Sequence, residues 1–169
     1  MFLAKILLYN IGPSRDRQNL LLKRGYYFIG YYLMESVSFV HANELTYADP
    51  SAWIFHDDIA EFLGGNPQVD GTYDAKKLVL GSEYKVYYYV SMKDRKETHP
   101  VTLTLHLPDG KTKQRTETIT LDPSRYQAVF VGKFLNIYPS GDIKFTFSGV
   151  TGDTWKGLLL EYVLITSNG

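Results

Sequence analysis

Between Tyr47 and Asp58 the chain reads YADPSAWIFHDD, which crowds aromatic rings and hydrogen-bonding groups into one short stretch. Trp53 offers a flat apolar face, and Asp49, His56 and Asp57 offer acceptors and a donor beside it. Sugars present apolar C–H faces bordered by hydroxyls, so an aromatic platform with a few fixed polar groups is the chemistry that holds them. A second stretch, Asp153-Thr154-Trp155-Lys156, repeats the combination. The same residues have plainer uses. Trp53 can plug one end of a β-sandwich while Asp49 caps the turn before Pro50, and Trp155 can pack under a closing strand. Two exposed indoles around one concave surface would favour sugar binding. Two buried ones would favour a module that contacts protein or RNA.

A third candidate is the strand Glu83 to Met92, where Lys85, Tyr87 and Tyr89 alternate with Tyr84, Val86, Tyr88 and Val90. The Lys85, Tyr87 and Tyr89 face can stack sugars or bases. A second sheet covering that face is the plainer reading.

Other chemistries find no support. His56-Asp57-Asp58 invites a metal, yet His41, His99 and His106 show no ligand spacing, so neither a metal nor a cofactor is expected. There is no nucleophile elbow and no phosphate-cradling glycine loop. Carboxylates such as Glu61 and Asp70 are present, but glycoside hydrolysis needs two at a set separation across a cleft. The expectation is a protein that binds without catalysis.

The positioning elements follow from pattern. A chain of 169 residues is one domain by size, and its zero cysteines exclude a disulfide framework and fit a reducing compartment. Eighteen basic and 18 acidic residues cancel, leaving no global field for nucleic acid or anionic membranes, although a local patch remains open. The 14 tyrosines favour strands. Val101, Leu103, Leu105 and Leu107 alternate with Thr102, Thr104 and His106, and Pro108-Asp109-Gly110 then reverses the chain. Similar strands recur to Ile165, and from Val37 the runs VSFV, ELTYAD and SAWIFHDD read as strands too. IAEFLGG reads as a single helical turn closed by Gly64, and Lys93 to His99 as a charged loop. These short strands predict an all-β, antiparallel, jelly-roll-like β-sandwich with an N-terminal extension. Residues 1–36 read as an N-terminal arm, either partly helical from Asp16 to Lys23 or disordered, and residues 37–169 as the domain. Lys5 interrupts the first apolar run, against a signal peptide, and Gly25 to Met34 is too short to span a bilayer.

The stretch VTLTLHLPDGKTKQRTETITL, then FVGKF and SGDIKFTFSGVTGDTWKGLLLEYVLI, is similar to the C-terminal half of the plant phloem protein 2 lectins, the group of the tobacco leaf lectin and the cucurbit phloem lectins. The signs are the Gly132-Lys133-Phe134 step, the Gly141 to Phe147 strand, and the turn of Trp155, Lys156 and Gly157 into an aliphatic strand. VDGTYDAKKLVLGSEYKVYYYV and ANELTYADPSAWIF resemble the upstream blocks, so the resemblance runs from Val37 to Ile165. It implies a non-catalytic carbohydrate-binding jelly roll for N-acetylglucosamine oligomers and N-glycan cores, in the cytoplasm, nucleus or phloem sap, with a part in plant defence or stress. Its implied partners are chitin oligomers and glycoproteins, then phloem filament protein, RNA or a second copy of the chain. It puts sugar contacts at Tyr47, Asp49, Trp53, Phe55, His56, Asp57, Asp153, Trp155 and Lys156. The chain departs from the family where Tyr47 and Phe55 replace tryptophans. It departs again where Ser148 to Gly152 carries no loop acid and leaves Asp153 as the nearby carboxylate.

Overall fold

The structure is a computed structural model and describes residues 36–167. The arm expected over 1–36, with its helix, lies outside the described residues but for Ser36. Eleven strands run in order: β1 (Val37–His41), β2 (Thr46–Tyr47), β3 (Trp53–His56), β4 (Ile59–Phe62), β5 (Val69–Asp74), β6 (Glu83–Met92), β7 (Glu97–His106), β8 (Thr112–Leu121), β9 (Gln127–Leu135), β10 (Asp142–Gly149) and β11 (Leu158–Ser167). They form two antiparallel sheets. One has the order β3-β4-β11-β6-β9 with β1 also on β11, and the other has the order β2-β5-β10-β7-β8. The antiparallel β-sandwich expected from the alternation is the fold. None of the helices among the described residues is long and apolar enough to cross a membrane.

The core forms where alternation turns one face of each sheet inward. Tyr84, Val86, Tyr88 and Val90 of β6 are buried against the other sheet's Leu103, Leu105, Phe145 and Phe147. The Tyr88 ring meets Phe145 at 6.0 Å and Phe147 at 5.6 Å. Phe145 also fills the space over Gly71, where a Cβ would fall 1.9 Å from its ring. At the β1 side, the Tyr73 hydroxyl donates to Ser38 Oγ at 2.9 Å and ties the two sheets together.

Two local expectations are corrected. The segment Ile59–Phe62 is a strand rather than a helical turn: it pairs with β3 and with β11, because Asp57, at φ 54°, turns the chain back as a hairpin. The charged loop after β6 is shorter than expected, since Glu97 to His99 already pair with β8.

Buried Asn136 ties down one end of the sandwich. Its Nδ2 lies 3.3 Å from the carbonyl oxygen of Ala75, 3.2 Å from that of Leu78 and 3.4 Å from that of Val79. Its backbone oxygen accepts from Gly81 and its N–H donates to Ser82, so the loop before β6 is held against the loop after β9.

Candidate functional site

The residues of the predicted sugar loop do not converge on one cleft. Trp53 is 6% exposed, with its ring 4.9 Å from that of Tyr47 and 5.1 Å from that of Phe62. Trp155 is 0% exposed and packs against His99 at 5.0 Å and Phe147 at 6.3 Å. Gly149 makes room for it, because a Cβ there would sit 2.5 Å from the indole Nε1. Both tryptophans are therefore core residues, and the stacking faces expected of them are taken up by other rings. The cause is register: Trp53 stands opposite Phe62 on the inward face of the β3–β4 hairpin. Tyr47 is buried as well, donates to the Ala42 carbonyl at 2.7 Å, and has its phenol held well above the usual range by desolvation.

The polar members separate into two groups. Asp49 begins the short 3-10 turn Pro50–Ala52, but its side chain accepts from Ser51 Oγ at 2.6 Å instead of capping the turn. Asp49 and Asp153 both border the Gly64–Gly65 loop, each carboxylate near where a glycine Cβ would stand. Gly65 and Gly152 exchange backbone hydrogen bonds of 3.0 and 2.7 Å, so the β4–β5 and β10–β11 loops meet there. Lys156 is exposed in the same β10–β11 loop. The second group lies at the β3–β4 hairpin, where His56 Nε2 stands 3.1 Å from Glu61 Oε2 and Asp57 is exposed in the turn. Lys93 Nζ reaches both oxygens of buried Glu61 at 2.9 Å, and that carboxylate holds the ammonium pKa above its ordinary value. Phe55 is 45% exposed, edge-on to Tyr47 at 5.4 Å. Glu61 and Asp70 belong to different sheets, and Asp70 accepts from Thr146 Oγ1 at 2.5 Å, so the two do not face each other across a cleft. Among the described residues, no group of three or more His, Asp or Glu side chains could hold a metal ion.

A broader aromatic surface lies on the outer face of the six-stranded sheet. Since Tyr84, Val86, Tyr88 and Val90 point inward, Lys85, Tyr87 and Tyr89 point out; the second sheet covers the opposite side of β6 from the one the plainer reading assigned. Register carries the surface across neighbouring strands. Tyr89 stands opposite Tyr162, with rings stacked at 4.7 Å, and Tyr162 meets Phe39 of β1 edge-on at 5.1 Å. Tyr87 stands opposite Phe130 of β9 at 5.4 Å between ring centres. Arg115 reaches from β8 to within 5.3 Å of the Phe130 ring and pairs with Glu117. A shallow cavity of about 240 Å³ beside this ring is lined by Lys113, Arg115, Phe130 and Lys133. The belt thus runs from Phe39, 43% exposed, over β11 and β6 to Phe130. Strand alternation marks its β6 part in the sequence; its Phe39, Phe130 and Tyr162 members depend on which strands become neighbours.

The fold and this surface define the class: an antiparallel β-sandwich with an aromatic outer face. Its sequence relationship is to a phloem protein 2-like protein. The chain is 33% identical over 105 residues to the protein PHLOEM PROTEIN 2-LIKE A2 of Arabidopsis thaliana, covering 58% of this chain and 54% of that protein. It thus spans about half the length of this curated relative. No family model matches the chain. Among solved structures, a family two carbohydrate esterase from Cellvibrio japonicus superposes with TM-score 0.53 at 14% identity, over 80% of this chain and 35% of that one. The CBM36-1 domain of a multidomain xylanase from the hindgut metagenome of Trinervitermes trinervoides superposes with TM-score 0.47 at 14% identity, over 79% and 98%. For the esterase, at 14% identity, the likeness is one of fold.

Proposed function

We propose that the protein is a non-catalytic carbohydrate-binding protein of the lectin kind, taking N-acetylglucosamine oligomers or N-glycan cores on the outer face of its six-stranded sheet. The observation that carries this is the belt of Tyr87, Tyr89, Phe130, Tyr162 and Phe39, which spans the four strands β9, β6, β11 and β1. Neighbouring strands lie about 5 Å apart, so a linear oligosaccharide crossing them meets Phe130 and Tyr87 and then Tyr89 and Tyr162 as one stacked pair whose inner faces cover each other. The phenol hydroxyls of Tyr87 and Tyr89 and the ammonium of Lys85 supply polar contacts at the margins. The choice of N-acetylglucosamine is supported by the phloem protein 2 resemblance, and sugar binding in general agrees with a fold shared with a carbohydrate esterase.

In this reading Trp53 and Trp155 support the fold rather than the sugar. Asp49, Phe55, His56, Asp57, Asp153 and Lys156 make the rival contact set on the loops. A glycan array followed by titration with chitin oligomers tests the proposal. Absence of binding at millimolar oligomer would end it.

One second reading has an observation of its own. Both indoles are buried, and Arg115, Lys113, Lys133 and Lys85 border the belt, which suits a protein or RNA interaction module without sugar affinity. Salt-sensitive RNA binding with no sugar binding would favour it.

A further inference from the structure

Among the described residues, the four most exposed large apolar side chains lie at one end of the sandwich. Val79 and Leu80 are 59% and 58% exposed, and Leu135 and Ile137 are 53% and 58% exposed. Leu135 stands opposite Glu83 in the β6–β9 pair, so the loop before β6 and the loop after β9 leave the same end of the same sheet. The two loops are joined by backbone bonds between Gly81 and Asn136 and between Asn136 and Ser82, of 2.8 and 2.9 Å. The buried Asn136 side chain holds Leu78 and Val79 from beneath, and Tyr84 Oη accepts from the Val79 N–H at 2.9 Å. The aliphatic side chains are thus presented outward on a braced tip.

Cations stand beside this tip. Lys76 and Lys77 occupy the 3-10 turn just before it, and Lys85 lies two residues into β6 from Glu83. None of the three forms an ion pair among the described residues. Lys133 is paired with Glu83 at 3.1 Å, and Asp74 is engaged with the Lys76 N–H. Tyr138, the one ring in these two loops, is buried and offers no face to a sugar, and the tip is made by two loops and the end of β9 rather than by a groove. Lys77 stands 5.6 Å from the centre of the Tyr73 ring, and protruding aliphatic side chains flanked by lysines without carboxylate partners match a surface that is apolar within and anionic at its border.

We infer that this tip docks the protein onto anionic lipid bilayers as a peripheral, reversible contact, with Val79, Leu80, Leu135 and Ile137 entering the acyl boundary and Lys76, Lys77 and Lys85 lying among the headgroups. The inference does not depend on sugar binding. A chain with no net charge needs such a local patch to meet an anionic membrane, and the tip is where charge and apolar surface coincide.

Sedimentation of the full chain with phosphatidylcholine vesicles, with and without phosphatidylserine, tests it. The native protein is expected to partition onto the phosphatidylserine vesicles at low salt and to leave them as salt is raised. Val79→Ser with Leu80→Ser should abolish partitioning, and Lys76→Gln with Lys77→Gln should weaken it by roughly fivefold per lysine. All four are surface changes, so an unchanged thermal midpoint checks that the fold persists. Absence of native protein on the anionic vesicles, or equal sedimentation of the Val79/Leu80 variant, would overturn the inference. So would light scattering that shows a dimer converted to monomer by Leu80→Ser, which would assign the tip to self-association.

Discussion

Tyr88, from the middle of β6, crosses the sandwich to place its hydroxyl 3.0 Å from the Val69 carbonyl oxygen and 3.1 Å from that of Phe145. A wholly buried phenol thus ties the six-stranded sheet to two strands of the other. Tyr88→Phe removes the donor while keeping the ring, and should destabilise the fold by about 1–3 kcal/mol in denaturant unfolding.

The same residue gives a pH dependence with a definite sign. Desolvation first, with Asp70 and Tyr47 nearby, holds the Tyr88 phenol well above its ordinary value. Desolvation likewise raises Tyr47. Each folded phenol keeps its proton after the unfolded one has lost it, so the stabilisation is complete below about pH 10 and is lost as pH rises beyond it. Unfolding free energy measured from neutral to strongly alkaline pH should fall in that window. The slope should be shallower for Tyr88→Phe; an unchanged slope would contradict the assignment.

Asn136 makes a prediction about the end of the sandwich where the loop before β6 meets the loop after β9. Replacing it by alanine leaves the Ala75, Leu78 and Val79 carbonyls without their shared donor and the Tyr138 N–H without its acceptor. The cost should be about 1–3 kcal/mol per buried group left unsatisfied, and amide exchange in residues 78–82 should speed up more than in β7 or β10.

The tryptophans give a spectroscopic test of their burial. Native emission should be blue-shifted and poorly quenched by acrylamide, and a bound chitin oligomer should leave it unchanged. Gly149→Ala, whose Cβ would press on the Trp155 ring, should destabilise by about 1–3 kcal/mol and perturb that emission. A red-shifted, readily quenched native spectrum would restore the indoles as a binding surface.

Much of this architecture is written in the alternation of side chains. Val101, Leu103, Leu105 and Leu107 announce an inward face that the folded chain keeps, and Tyr84, Val86, Tyr88 and Val90 do the same for β6. Local pattern fails where tertiary pairing decides. Ile59–Phe62 carries helix-compatible residues but is claimed by β3 and β11. The side from which the second sheet would approach β6 could not be read from two tyrosine-bearing faces of one strand. Trp53 sits among polar loop residues, and only its register opposite Phe62 turns it inward. Asn136 looks like an ordinary loop polar group until the chain folds around it.

The central claim is that Tyr87 and Tyr89 form the sugar platform, and calorimetric titration with chitotetraose tests it most directly. The account predicts saturable binding to the native chain, weakened at least about tenfold by the combined Tyr87→Ala and Tyr89→Ala changes, with retained binding in Asp49→Asn and Asp153→Asn. No heat at millimolar chitotetraose, or a tyrosine variant that binds as tightly as native, would contradict it.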